Sequence, residues 1–173
     1  MMADFISDCQ RLLSEGKFSE ALGQSNEQLK QSPKHDAVWR VNGFALQGLG
    51  RSDEAEESFK KAISYGKTDS KNYHAYAVLL FNMKRFDEAL LMFETAMIFE
   101  STPEELFMVA VTNLMLGRQL DAILAMKEAI ATNKDRTIAI INSFSQGYFQ
   151  DRSVSEEDKK ALKAQLDRLM RLA

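Results

Sequence analysis

The side chains most able to do chemistry in this sequence sit in a few short strings. Gly66-Lys67-Thr68 matches the end of a phosphate-cradling loop, in which glycine-freed backbone amides and a lysine hold the phosphates of a nucleotide. That motif needs a second glycine five residues earlier, where Lys61 stands, and a strand before it; here the string ends a helix. His35 and His74 are the two histidines, and neither has a Cys, a carboxylate or the other His at metal-ligand spacing. Cys9 is the lone cysteine, which excludes an intrachain disulfide and reads as a buried structural thiol at a small-residue position. Asp53-Glu54 and Glu156-Glu157-Asp158 gather carboxylates at helix starts, where capping and the helix dipole already account for them. With no serine elbow, paired catalytic acids or glycine-rich dinucleotide loop, the residues point to no enzyme, no cofactor and no metal.

The elements that carry these side chains recur. Phe5, Trp39, Tyr73 and Phe107 stand 34 residues apart, and so do Leu12, Leu46, Leu80 and Leu114. Ala21, Ala55, Ala89 and Ala122 follow at steps of 34, 34 and 33, each after an acidic residue (Glu20, Glu54, Glu88, Asp121). Aromatic, small and leucine positions recurring together at this period mark a helical array.

Each period reads as two helices. In the second, Asp36 to Gly48 carries Val38, Trp39, Val41, Phe44, Ala45 and Leu46 at helical spacing. Gly50 breaks the chain, Ser52 or Asp53 is placed to cap the next helix, and Ala55, Phe59, Ala62 and Ile63 form its apolar face until about Gly66. The third unit repeats this around a turn at Met83-Lys84-Arg85, and the fourth around Gly117-Arg118. The first holds Gln24, Ser25, Asn26 and Gln28 where later units place apolar residues, which predicts a looser, partly solvated end. Beyond Ala131 the period fades. Thr137 to Tyr148 predicts one more helix, and Ser153 or Ser155 starts a last one with Leu162, Leu166 and Leu169 on one face.

These residues resemble the tetratricopeptide repeat (TPR) pattern. Trp39, Gly43, Leu46, Gly50, Ala55, Phe59 and Ala62 match it in the second unit, as do Tyr73, Ala77, Leu80, Phe86, Ala89, Phe93 and Ala96 in the third. The resemblance spans 2–136 as four repeats, at about 2–35, 36–69, 70–103 and 104–136, with additional C-terminal helices over 137–173 expected to cap them. It departs at Ser52, where the pattern wants an aromatic, at Lys67 in place of a closing Pro, and by a one-residue deletion near Gln119. The implied fold is all-α, a right-handed superhelical solenoid of helix-turn-helix repeats.

The resemblance also implies a binding groove, lined by the first helix of each repeat. Its family positions fall on Ile6, Gln10 and Leu13, on Arg40, Phe44 and Gln47, on Lys71, His74, Val78 and Phe81, and on Glu105, Met108, Thr112 and Met115. Large apolar side chains on a face expected to see water suggest anchors for an apolar segment of a partner. The carboxylate clamp by which some TPR proteins grip the ends of Hsp70 and Hsp90 is disfavoured. Its positions hold Ile6, Gln10, Val41, Lys71 and Ala75, and only Lys71 supplies the required charge.

Composition bounds the partners. A net charge of −3, without a block of five or more like charges, argues against nucleic acid. No apolar run approaches the roughly 20 residues of a membrane span, and Met1-Met2-Ala3-Asp4 does not open a secretory signal, so a cytoplasmic protein is expected. The expected function is a non-enzymatic scaffold or adaptor, binding a peptide or amphipathic helix of another protein. The alternatives are a secretion-type TPR chaperone, disfavoured because no helical segment precedes the first repeat, and a structural subunit that dimerises through its C-terminal helix or an end repeat.

Overall fold

The structure is a computed structural model that describes residues 2–151 and 154–172. Within them the chain forms ten α-helices and no strand: α1 (Met2–Ser14), α2 (Phe18–Gln31), α3 (Asp36–Gly48), α4 (Ser52–Tyr65), α5 (Ser70–Asn82), α6 (Phe86–Phe99), α7 (Pro103–Met115), α8 (Gln119–Thr132), α9 (Lys134–Gln150) and α10 (Glu156–Leu172). They fall into two compact units, Met1–Phe99 with α1 to α6 and Glu100–Ala173 with α7 to α10.

The four helix pairs are joined by one turn, repeated. Gly16, Gly50 and Gly117 each adopt a φ of 73–74°, and Lys84 takes a φ of 62° at the equivalent place. The following amides of Lys17, Arg51, Arg85 and Arg118 then donate to the carbonyls of Leu12, Leu46, Leu80 and Asn113, all at 2.9 Å. This is the six-to-one bond of a Schellman turn, which satisfies carbonyls that a helix end would otherwise leave bare. It also settles the start of α4. Ser52 lies inside the helix and Arg51 occupies the cap position without a side-chain cap bond; its guanidinium instead holds Glu54 at 2.6–2.7 Å.

In the first unit, size is matched across each pair. Ala21, Ala55 and Ala89 are fully buried where paired helices meet. A Cβ added to Gly43 would lie 2.6 Å from the ring of Phe59, so α3 and α4 approach closely only because that side chain is absent. Ser25 stands where α4 has Phe59 and α6 has Phe93, and it too is fully buried. The first repeat is nonetheless the looser, partly solvated one that the sequence predicts, with Gln24 and Asn26 exposed and α1 and α2 meeting over far less of their length than α3 and α4 do, but its buried serine is held. Asn42 of α3 donates to Ser25 Oγ at 3.0 Å and to Asn26 Oδ1 at 2.8 Å, and Ser58 of α4 donates to Asn42 Oδ1 at 2.9 Å. A buried amide with every group partnered costs little and ties three helices.

The connections between repeats have their own fastening. Trp39 Nε1 donates to Pro33 O and Tyr73 Oη to Lys67 O, each at 2.8 Å and each six residues back. The bond uses a carbonyl, which explains why Lys67 can replace the proline the pattern expects. Lys61 lies 4.3 Å from the Trp39 ring centroid, a cation–π contact.

In the second unit, Thr102 caps α7 by accepting from Glu105 N at 3.2 Å, with Pro103 at the first helical position. Fully buried Phe107 meets Phe144 of α9 edge-on at 5.3 Å. α9 begins three residues before the expected Thr137 because Asn133 caps it, and buried Thr137 donates back to Ala129 O and Asn133 O, both at 2.8 Å. α10 packs on α8 and α9, burying Leu162, Leu166 and Leu169. Ser155 caps it, accepting from Asp158 N at 3.1 Å; the other expected start, Ser153, lies outside the described residues.

Lys84 is the one non-glycine at the left-handed turn position among the described residues. The left-handed conformation costs an L-residue about 1–2 kcal/mol, and glycine's extra chain entropy returns about 0.5–1 of that. Lys84→Gly is expected to raise stability by about 0.5–1 kcal/mol in urea unfolding, whereas Gly50→Lys should lower it.

A second expectation concerns Glu56, which joins α4 to α5 and α6. Tyr76 Oη donates to its Oε1 at 2.7 Å, Arg85 Nη1 to its Oε2 at 2.7 Å, and Lys60 Nζ lies 3.0 Å away. Burial pushes the carboxyl up, but these three donors outweigh it and hold Glu56 at about 2, below its ordinary 4.5. A folded value below the unfolded one means the stabilisation is whole above about pH 4.5 and lost as pH falls toward 2. Glu56→Gln should cost about 1–3 kcal/mol at neutral pH and flatten the acid limb, measured as melting temperature from pH 7 to 2.5.

Candidate functional site

In the first unit the leading helices of successive repeats pack on one another: α3 lies against both α1 and α5. The face they share is built from three registers of 34 residues. Ile6, Arg40 and His74 form one, Gln10, Phe44 and Val78 the second, and Leu13, Gln47 and Phe81 the third.

These side chains do not all face solvent. Ile6, Leu13, Phe44, Gln47, His74 and Val78 are half-buried, and Gln10 and Lys71 are exposed. Leu13 leans on the core of Leu12, Ala21 and Ala45. Phe44 sets its ring edge-on to Phe59 at 5.2 Å and keeps one side open. His74 meets Phe93 the same way at 5.6 Å. Phe81 is only 9% exposed and packs edge-on against Phe86 at 5.3 Å, which makes it part of the helix contact rather than a solvated anchor. In the second unit α7 carries Met108 half-buried and Met115 exposed. Thr112 is fully buried with its hydroxyl turned to Met108 O at 2.6 Å, and Glu105 is buried as well.

Arg40 is occupied within the fold. Its Nη1 donates to Asp69 Oδ2 at 2.9 Å and to Asn72 Oδ1, and the side chain is 15% exposed. Asn72 in turn donates to Asp36 Oδ2 at 3.0 Å, Gly66 O at 3.1 Å and Ala62 O at 3.2 Å. Burial pushes the Asp36 carboxyl up, but the bonds from Asn72 and the Ala37 amide, with Arg40 and His35 nearby, hold it below its usual value. The Gly66-Lys67-Thr68 string is thus drawn into a polar lock between α3, α4 and α5. A Cβ on Gly66 would sit 2.3 Å from Asp36 Oδ2 and 2.5 Å from Asn72 Nδ2, leaving no room for a side chain.

The signal for this lock in the sequence is Asn72 itself: it occupies a register held elsewhere by buried Val38 and Leu106, and a polar residue there demands partners. The exposed polar groups left on the face are Gln10 and Lys71, with no carboxylate among its residues. Among the described residues, no group of three or more His, Cys, Asp or Glu could hold a metal ion.

A family model for the N-terminal TPR repeats region of Psidin matches residues 9–166. The chain belongs to that family. Its fold is shared by TTC0263, a thermophilic TPR protein of Thermus thermophilus, at 17% identity with 79% of each chain covered and a TM-score of 0.69. MamA is also 17% identical, with 95% of this chain and 91% of that one covered and a TM-score of 0.68. The structure of the APC/C hetero-tetramer Cut9–Hcn1 is 16% identical over 97% of this chain but 31% of that one, with a TM-score of 0.70. At such identities the likeness is one of fold. No curated protein matches the sequence. TPR repeats of this fold serve in general as non-enzymatic protein–protein interaction scaffolds. Among the described residues, no helix is long and apolar enough to cross a membrane.

The lock around Asn72 makes a direct expectation. Asn72→Ala leaves the Ala62 and Gly66 carbonyls and the Asp36 carboxylate short of a donor and should destabilise the chain by about 1–3 kcal/mol in urea unfolding. Lys71→Ala, one residue away and exposed, is expected to change it by less than about 0.5 kcal/mol.

Proposed function

We propose that this chain is a protein-interaction scaffold whose α1–α3–α5 face holds an extended or helical segment of a partner. The observation that carries this reading is the set of half-buried apolar side chains, Ile6, Phe44 and Val78, repeated on three neighbouring helices beside exposed Lys71 and Gln10. Side chains held by the core beneath and open above are pre-ordered, so little entropy is lost when a ligand covers them. Three apolar contacts at about 1.5–3 kcal/mol each give roughly 5–9 kcal/mol before the costs of association, which makes micromolar affinity an upper limit for these contacts alone. Exposed Lys71 favours a segment with an acidic residue at that end, because the neighbouring Asp69 carboxylate is already bound to Arg40. The fold-level neighbour Cut9 was solved in complex with Hcn1, a precedent for an array of this kind in a protein complex.

α7 offers Met108 and Met115 as a smaller adaptable surface of the second unit. Self-association through the C-terminal helix has less support, because Leu162, Leu166 and Leu169 are already buried on α8 and α9. That packing supports a capping role for α10.

The test uses Val78→Glu together with Lys71→Glu, which reverses the chemistry of the face and spares buried Phe81. Circular dichroism should show unchanged helicity, and affinity capture from the host should lose specific proteins held by the wild type. Capture of the same proteins by both would exclude this face as the binding surface.

A further inference from the structure

The outer sides of the second helices carry polar or small residues in the first two repeats, at registers where the third carries aliphatic ones. In α2 the positions Ser19, Gly23, Asn26 and Lys30 lie at i, i+4, i+7 and i+11, and all are exposed. In α4 the same registers hold Asp53, Glu57, Lys60 and Ser64, again all exposed. In α6 they hold Asp87, Leu91, Glu94 and Ile98. Leu91 is 58% and Ile98 78% exposed, which solvation alone does not favour when two sister helices place polar or small residues there. Phe99, 42% exposed and stacked on Tyr73 at 5.4 Å, ends the helix as Tyr65, 44% exposed, ends α4. Thr95 turns its hydroxyl to Leu91 O at 2.7 Å and so leaves its methyl group on the surface side.

The charge beside this seam has one sign. α4 pairs Lys60 with Glu57, and α2 pairs Lys30 with Glu27, whereas α6 has no Lys or Arg at all. Of its three acidic residues, Glu88 is held by Arg85, and Asp87 and Glu94 lie exposed on the same side as Leu91 and Ile98. Arg85, the cation just before the helix, is committed to Glu56 and Glu88. Leu91 and Ile98 stand seven residues apart on one side of α6, the repeat at which a second helix can lie along it, with Glu94 between them.

We infer that the outer face of α6 docks a basic amphipathic helix of another protein, with aliphatic side chains seven residues apart on Leu91 and Ile98 and Lys or Arg beside Glu94. The complementarity comes from the acidic rim, which repels an acidic helix and steers a basic one. This surface is separate from the α1–α3–α5 face and stands whether or not that face binds a partner.

The experiment titrates the full chain into two fluorescent synthetic helices of about 18 residues, long enough for partial helicity. Both carry the same leucine seam, one flanked by Lys and the other by Glu. The Lys peptide is expected to bind at least about tenfold tighter than the Glu peptide, with an advantage that shrinks as salt is raised. Leu91→Lys with Ile98→Lys should weaken the Lys peptide about tenfold or more, and Glu94→Lys alone, an exposed change, should reverse the preference. Equal binding of both peptides, or wild-type binding by these variants, would overturn the inference. So would a concentration-dependent dimer that only the wild type forms, since that would assign the seam to a second copy.

Discussion

Two helices of a repeat can close on each other only where one side chain is nearly absent. Gly43 beneath Phe59 shows the constraint most plainly: a single added carbon would overlap the ring, and the α3–α4 pair would have to part. Buried Ala21, Ala55, Ala89 and Ala122 impose the same demand at the matching places. Because one left-handed turn geometry joins the two helices inside each pair, the pairs close in the same way. The surface registers of each pair inherit their positions from that closure, and so from buried glycine and alanine.

In the first unit, the interfaces between successive repeats carry their own polar fastenings. At equivalent places on the first helices, Asn42 reaches back to Ser25 and Asn26, while Tyr76 reaches back to Glu56. Asn72 adds a lock at the α4–α5 connection that its counterparts Val38 and Leu106 do not have. Apolar packing between repeats is tolerant of exchange, since one leucine serves much like another. A buried amide is not, because a mismatched neighbour leaves it unpaired at a cost of about 1–3 kcal/mol. These fastenings therefore give each repeat a specified neighbour, a use of buried polar groups that parallels register selection in coiled coils.

The same division of labour separates the faces. On the α1–α3–α5 side, the apolar residues are half-buried and backed by the core, with Lys71 the exposed charge. On the outer side, α2 and α4 carry polar or small residues at the registers where α6 has Leu91 and Ile98, which lie beside Asp87 and Glu94. The two faces of the first unit thus differ in the sign of their exposed charge, the property that would separate the two proposed ligands.

Much of this was legible from residue order alone. The 34-residue registers located the helix pairs, the small positions and the turns; α3 spans Asp36–Gly48 as read, and every alanine of the register is fully buried. Periodicity succeeds there because it reports which face of a helix a residue occupies. It does not report what arrives opposite that face. Polar Ser25 looked exposed until Asn42 was found 3.0 Å away, Arg40 looked like a groove residue until Asp69 and Asn72 enclosed it, and Phe81 looked solvated until Phe86 covered it. Ser52 looked like a cap, but the left-handed turn at Gly50 had already determined where α4 begins. By itself the sequence determined the repeat, its period and its buried small residues, because those follow from local spacing. The tertiary structure decided which polar groups are satisfied and which apolar ones stay open, because both depend on distances between helices that no single helix encodes.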